Sequence, residues 1–208
     1  AGFAAPLHVL PTLWFKNDWS WTANPVRPGI AVEHEDATRA VLVTAHRTLP
    51  AYRLHCEAPT ALLFTENETN FARLFGSANA TPYVKDAFHE ALVHGRTDAV
   101  NPARTGSKAA AHYVLDVPAG ETVTLRLRLT DGVVDDPLGA AFDATFAQRR
   151  EEADAFYRRI TPFAIPDDLR NVQRQAFAGM LWGKQYYRYM VERWLEGDPA
   201  EPKPPKGR

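Results

Sequence analysis

Alternation of apolar and polar residues predicts β-strands along the first two-thirds of the chain. The β signal is strongest in two segments, 108–117 (KAAAHYVLDV) and 122–130 (TVTLRLRLT), and only the second alternates strictly. In the second segment every other residue from Val123 to Leu129 is apolar, which predicts one buried face and one solvated face. The turn residues PAG between the two segments predict that they form a hairpin.

Shorter segments with the composition of strands, separated by turn residues, precede this pair. They are 7–15, 29–36, 40–47, 52–57 and 60–68. Both faces of the first segment are largely apolar, which indicates a strand covered on both sides, as in a β-sandwich.

Residues 71–107 form a long segment with few strand patterns. At its start, NFARLFG (residues 70–76) predicts a short helix that ends at Gly76. A segment of this length inside a folded domain is usually functional or docked on another surface.

The apolar period becomes helical after residue 137. Residues 140–160 predict a helix with Phe142 and Phe146 on one side and charges opposite. Pro162 and Pro166 interrupt the chain, and a second helix is predicted from Asp168 to Gly197, with Asp167 or Asp168 as its cap. At 1.5 Å per residue that helix would be roughly 40 Å long. Its apolar residues spread around the axis, which is typical of a helix with partners on more than one side.

Composition then narrows the class of protein. The formal net charge is −1, which gives no global electrostatic basis for binding nucleic acid or an anionic membrane. Cys56 is the single cysteine, so no internal disulfide can form and a reducing compartment is favoured. No apolar stretch approaches the ~20 residues that span a bilayer, and no signal peptide is recognisable. We therefore expect a cytoplasmic protein with no nucleic-acid or membrane partner.

Three regions follow from these patterns. A β domain is predicted over 1–137, linker helices over 138–197, and a Pro/Lys-rich tail over 198–208 that cannot pack into a core. The chain begins with Ala, and a strand is predicted almost at once. We expect both ends to be cuts through a longer protein.

The stretch FTENETN places two carboxylates directly after an apolar run. Glu66 and Glu68 are at i and i+2 on an extended chain, so both can face the same way with Cα atoms roughly 6.5 Å apart. An inverting glycosidase needs its two carboxyl groups on opposite sides of the scissile bond. Neighbouring acids on one strand face cannot meet that requirement, so structural hydrogen bonding is favoured over a catalytic pair. Contact with a substrate is the alternative.

Tryptophans upstream could stack on sugar rings, although packing is the commoner role of indoles in a β-sandwich. Of Trp14, Trp19 and Trp21, the last two are the better candidates for exposure, because KNDWSW resembles a turn.

The stretch HEALVH differs from the zinc-binding pattern H-E-x-x-H. His89 and His94 are five residues apart, which places them about 500° around a helix, so we expect them to diverge and to bind no metal. No phosphate-binding glycine loop or nucleophile elbow occurs either.

Five blocks of the sequence resemble the N-terminal half of bacterial members of glycoside hydrolase family 63, the mannosylglycerate-hydrolase-like or mannosyl-oligosaccharide-glucosidase-like proteins. They are LHVLPTLWFKNDWSW, LLFTENETN, YVKDAFHEALVHG, AVNPARTGSKAAAHY and QAFAGMLWGKQYYRYMVERWLEGDP. The resemblance implies a mainly β fold, an antiparallel two-layer β-supersandwich, with linker helices leading into an (α/α)6 barrel. In that family the barrel holds the catalytic acid and base and hydrolyses α-linked sugars with inversion.

No residue of this chain matches that acid or base. The resemblance therefore implies a non-catalytic region, inactive alone, whose partners are the barrel and an oligosaccharide or small glycoside, with no cofactor. The alternative is a free-standing carbohydrate-binding β-sandwich. Charged residues of the long segment are either solvated or help to close a sugar pocket on the barrel. The candidate substrate-contacting residues are Trp19, Trp21, Glu66, Glu68, Asn70, Lys85, Asp86 and His89.

Overall fold

The computed structural model describes residues 5–21, 26–161, 163–183 and 190–197. The chain divides into two units, Ala1–Leu138 and Gly139–Arg208. Within the described ranges, the β-strands lie in the first unit and the long helices in the second.

One antiparallel sheet of the first unit is built around its longest strand. Its strands are β1 (Ala5–Val9), β2 (Thr12–Trp14), β6 (Ala61–Thr65) and β8 (Lys108–Val117). Both β2 and β6 pair with the first half of β8, so they occupy its two opposite edges. Strand β1 pairs with the second half of β8 and leads into β2.

The other sheet has five antiparallel strands in the order β7-β3-β4-β5-β9. These are β3 (Gly29–Glu35), β4 (Arg39–Ala45), β5 (Arg53–Glu57), β7 (Thr105–Gly106) and β9 (Leu127–Thr130). The register of β3 against β4 shifts between Val32 and His34, which indicates a β-bulge.

The core lies between the two sheets. Ile30 and Leu42 of the five-stranded sheet pack with Phe64 and Ala109 of the other sheet. A second cluster joins Cys56 to Ala111 and Tyr113 in the same way. The predicted mainly β fold, two antiparallel sheets followed by helices, is confirmed.

Short helices occupy the segment between β6 and β7. They are α1 (Phe71–Phe75), α2 (Ala87–Val93) and a 3-10 turn at Thr97–Ala99. The helix predicted from NFARLFG is confirmed, because α1 ends at Gly76 in the left-handed conformation, at φ 66°.

The predicted hairpin between 108–117 and 122–130 is wrong. The strand β8 spans its predicted residues, with β2 and β6 on the two edges of its first half and β1 on its second half, and β9 pairs with β5 in the other sheet. Strand β9 also begins only at Leu127. The predicted buried face is found only in part, since Leu125 and Leu127 pack on the Cys56 cluster while Val123 and Leu129 are exposed.

The first predicted strand is also interrupted. It forms β1 and β2, separated by Leu10 and Pro11, where the Pro11 carbonyl accepts a hydrogen bond from the Ala111 amide. Proline has no amide hydrogen and is confined to sheet edges or breaks. The expected cover on both sides is wrong at Leu7 and Trp14, which are exposed.

In the second unit, α3 (Ala140–Ile160) has the bounds predicted for it. The next helix, α4 (Asp167–Trp182), begins after Pro166 without a side-chain cap, so neither Asp167 nor Asp168 is the N-cap residue. The helix ends at Trp182, and α5 (Val191–Glu196) follows, so the single helix expected as far as Gly197 is wrong. Residues 184–189, which belong to that expectation, lie outside the described part. No helix among the described residues is long and apolar enough to cross a bilayer.

Candidate functional site

The acidic segment that begins with Glu66 leaves the end of β6 and lies beside the returning chain before α2. The Glu66 amide donates to the Tyr83 carbonyl at 2.9 Å, and the Lys85 amide donates to the Glu68 carbonyl at 3.0 Å. Between them the buried Thr65 hydroxyl donates to the Val84 carbonyl at 2.6 Å. These bonds fix the backbone from which the acidic side chains project.

The Glu66 carboxylate is bound to the buried Ser107 at the start of β8. Its Oε2 accepts from the Ser107 amide at 3.1 Å and from the Ser107 hydroxyl at 2.5 Å. The same hydroxyl accepts a hydrogen bond from the Asn67 amide at 2.9 Å. Glu66 therefore ties the end of β6 to the start of β8.

Arg27 bridges the two carboxylates. Its guanidinium lies 2.6 Å from Oε1 of Glu68 and 3.9 Å from Oε1 of Glu66. Both acids therefore face the same way, as their i, i+2 spacing predicts. Their side chains are only 16% and 12% exposed.

Trp19 completes this acid network, which we define as Trp19, Arg27, Glu66, Glu68 and Ser107. The indole Nε1 donates to Oε1 of Glu68 at 3.0 Å, and Trp19 is 4% exposed. A carboxylate that acts as a base in an inverting glycosidase must face a water and the sugar instead. The geometry of the acid network is therefore that of a structural support.

Close contact at Gly106 makes the acid network possible. A Cβ atom at this position would lie 2.3 Å from the Thr65 carbonyl oxygen, which is part of the backbone and cannot move aside. Only glycine allows β7 to approach the end of β6 so closely.

The expectation that Trp19 is exposed is wrong. Trp19 begins the 3-10 turn at Trp19–Trp21, and its indole lies against Glu68. A buried indole N–H requires an acceptor, and the Glu68 carboxylate provides it. Trp14 is instead exposed, at 55%. The side chain of Trp21 lies outside the described residues.

Asn70 and Asp86 belong to a second group of polar residues. The Asn70 amide nitrogen lies 3.2 Å from both oxygens of Asp86, and Arg73 lies 3.1 Å from one of them. The Asn70 oxygen accepts from the Arg73 amide and from Asn79, so it also caps α1.

Those residues line a cleft of about 450 Å³ in the first unit. Glu90, Arg96 and Asp98 also line it. We call this the α1–α2 cleft.

The Lys85 side chain makes its contact outside both groups. Its Nζ donates to the Thr69 hydroxyl at 3.3 Å, while its carbonyl accepts from Lys108 at 2.7 Å. The Lys108 ammonium also lies 4.7 Å from the centre of the Phe88 ring. Burial, and then the charge of Lys85, lower the pKa of Lys108.

The predicted divergence of His89 and His94 is wrong. Their ring centres are 5.1 Å apart and the rings are nearly perpendicular, at 79°. Helix α2 ends at Val93, so His94 lies at the C-cap, outside the regular helix that the predicted angle assumed. Neither histidine lines the α1–α2 cleft. Across the described ranges, no three His, Cys, Asp or Glu side chains are grouped as metal ligands.

The structure therefore brings together three predicted residues in the acid network (Trp19, Glu66 and Glu68) and two at the cleft (Asn70 and Asp86). Sequence reasoning missed their partners, above all Arg27, Ser107 and Arg73. The Gly106-Ser107 pair follows a long polar segment, which is only a weak indication that Ser107 belongs to the site. Nothing near Arg27 in the sequence identifies it, because its partners are about 40 positions away.

The comparisons with known proteins give one relative for this chain. A Saccharomyces cerevisiae protein described as uncharacterized protein YMR196W is 36% identical over 238 aligned positions, which cover 97% of this chain. The chain spans 22% of the length of that relative. No family model and no solved structure matches this chain. The resemblance to glycoside hydrolase family 63 stays a prediction.

Proposed function

We propose that this chain is a non-catalytic region of a larger, inverting α-glycoside hydrolase. Its β-sandwich braces a catalytic (α/α)6 barrel, and the segment that carries α1 and α2 contributes to the substrate mouth. The barrel provides the acid that protonates the leaving oxygen and the base that activates water.

The observation that carries the non-catalytic assignment is the acid network. Glu66 accepts two hydrogen bonds from Ser107, and Glu68 is held by Arg27 and Trp19. Activating a water would require these contacts to break and two largely buried carboxylates to lose their cation. That loss is costly for buried charges.

Support for a larger protein comes from the length of the yeast relative. The alignment includes the β-strands and the helices of this chain but only 22% of the relative. The second unit also has exposed apolar residues at the end of α4, namely Met180, Leu181 and Trp182. Exposed apolar residues grouped in this way are typical of an interface.

Hydrolysis assays on two proteins test the proposal. The purified 208-residue chain and the full-length yeast relative are each incubated with aryl α-glucosides and aryl α-mannosides. We expect release of the aryl group by the relative and none by the chain alone. Turnover by the chain at rates typical of glycosidases would contradict the non-catalytic assignment.

Inactivity of the full-length relative toward a wide panel of α-glycosides would contradict the parent reaction. If the chain is instead a free-standing carbohydrate-binding module, we expect the relative to be inactive toward α-glycosides and the chain to bind sugars. The two assays therefore separate the proposed function from its alternative.

A further inference from the structure

We infer that the α1–α2 cleft is a binding site for one neutral sugar unit. This inference rests on the proposed function for the class of ligand, and on the cleft itself for the position and chemistry of the site. All the residues involved belong to the first unit.

The floor of the cleft is apolar and made of small side chains. Val84, Ala87 and Ala99 are buried there, and Ala72 and Pro82 lie beside them. A sugar ring has an apolar C–H face and a polar rim of hydroxyl groups. Small side chains leave room for that face to lie against the floor.

The rim of the cleft offers acceptors and donors together. Asp86 is held in place by Asn70 and Arg73, so its charge is fixed before a ligand arrives. Four residues further along, on α2, Glu90 forms a looser pair with Arg96, at 3.4 Å. Charge-assisted hydrogen bonds are usually about 2.7–2.9 Å long.

The long contact leaves Glu90 and Arg96 with hydrogen-bonding capacity. Arg96 also lies 3.9 Å from Asp98, so both of its ion pairs are longer than a strong hydrogen bond. The Glu90 side chain is 24% exposed. Vicinal hydroxyls each donate and accept, so a carboxylate and a guanidinium side by side can bind such a pair.

Charge selects against anionic ligands. Three carboxylates and two guanidinium groups line the cleft, which gives a formal charge of −1. Phosphorylated sugars and uronic acids would be repelled, whereas neutral hexoses would not. A volume of about 450 Å³ is within the range of small-molecule pockets.

The test is a titration of the purified 208-residue chain with methyl α-glucoside and methyl α-mannoside, followed by amide NMR shifts and calorimetry. We expect saturable binding of at least one glycoside with a millimolar Kd or tighter. The shifts should be concentrated in residues 70–99. Methylguanidinium is titrated in parallel, because a cleft of charge −1 could bind a cation instead.

Two variants and one control locate the site. Glu90→Gln and Arg96→Met should each weaken glycoside binding roughly tenfold, since each removes a hydrogen bond to a charged group. His89→Gln is the matched control, because His89 precedes Glu90 on the same helix, is exposed and does not line the cleft. It should leave binding unchanged.

Saturable binding that both variants weaken, and the control does not, would support the inference. Absence of glycoside binding, binding with shifts elsewhere, or binding of methylguanidinium alone would overturn it. The hydrolysis assays are independent of these binding measurements. A result that overturns the binding site therefore differs from one that overturns the proposed function.

Discussion

Two groups of acidic side chains lie along the same stretch of the chain but differ in what their contacts leave available. In the acid network, Glu66 and Glu68 have their closest contacts at 2.5 Å and 2.6 Å. At the α1–α2 cleft, Glu90 has its contact with Arg96 at 3.4 Å. Glu66 and Glu68 therefore have little remaining capacity to bind a ligand, whereas Glu90 retains that capacity.

This difference shows that the density of acidic residues in a sequence does not identify a ligand site. FTENETN has two acidic residues and follows a segment rich in aromatic residues, a combination that suggests a ligand site. Its carboxylates nevertheless hold two strands together. The residues around Glu90 are less conspicuous in the sequence, but they border an open cleft.

The largest expected effect comes from removing the close approach on which the acid network depends. Gly106→Ala places a methyl group against the Thr65 carbonyl, so β7 must move away from β6. We expect the free energy of unfolding to fall by about 3 kcal/mol or more.

Urea denaturation followed by circular dichroism measures that loss. Gly132→Ala is the matched control, because a Cβ there would meet no atom within 4 Å. Equal stability of the two variants would show that the network does not depend on this contact.

Removing the cation of the acid network should have the next largest effect. Arg27→Met leaves the Glu66 and Glu68 carboxylates side by side without their counter-charge. Because Arg27 is itself 44% exposed, we expect a loss of about 1–2 kcal/mol rather than the larger cost of a fully buried pair.

Urea denaturation again provides the measurement, and Arg149→Met is the control. Arg149 pairs with Glu152 on the surface of α3, and its loss should cost less than about 0.5 kcal/mol. If the two variants lose the same free energy, Arg27 has no special role.

Lower pH should weaken the sheet through His112 without involving the cleft. Burial, and then the neighbouring His8 at 2.8 Å, lower the pKa of His112 below its ordinary 6.5. The unfolded chain therefore takes up the proton more readily than the folded chain. The free energy of unfolding should fall as pH falls through about 6.5, and it should level off above that pH.

Denaturation at pH 7.5, 6.5 and 5.5 measures this slope. His112→Gln should reduce it, and the remainder should come from His55, whose pKa is lowered by burial and then by Arg39. Glu90→Gln at the cleft should leave the slope as it is. An unchanged slope in His112→Gln would contradict the assignment.

The smallest expected effect is on stability at the cleft itself. Arg96→Met removes only long contacts of an exposed side chain, so the free energy of unfolding should change by less than about 0.5 kcal/mol. A loss above about 1 kcal/mol would show that Arg96 supports the fold as Arg27 does.

Local patterns allowed much of the fold to be predicted from the sequence. Strand β8 and helix α3 have the predicted bounds. A run of mainly apolar residues identifies the strand, and a helical apolar period identifies the helix. The hairpin with 122–130 failed because pairing depends on which strand edges are free. The partner of β9 is β5, far earlier in the chain.

The candidate site was predictable to a similar extent. The shared direction of Glu66 and Glu68 follows from strand geometry, and Arg27 confirms it. What those side chains touch did not follow, since Arg27 and Ser107 come from distant positions. The burial of Trp19 depends on the same distant contacts.

The contact between Thr65 and Gly106 closes a neck at the base of the segment that carries α1 and α2. Because the neck fixes both ends, the length of chain between them can change at small entropic cost, about 0.6 kcal/mol for each doubling. The β-sandwich is thus a fixed base on which the segment between β6 and β7 can be replaced. New specificities could be grafted there by loop replacement while the strands beneath keep their register.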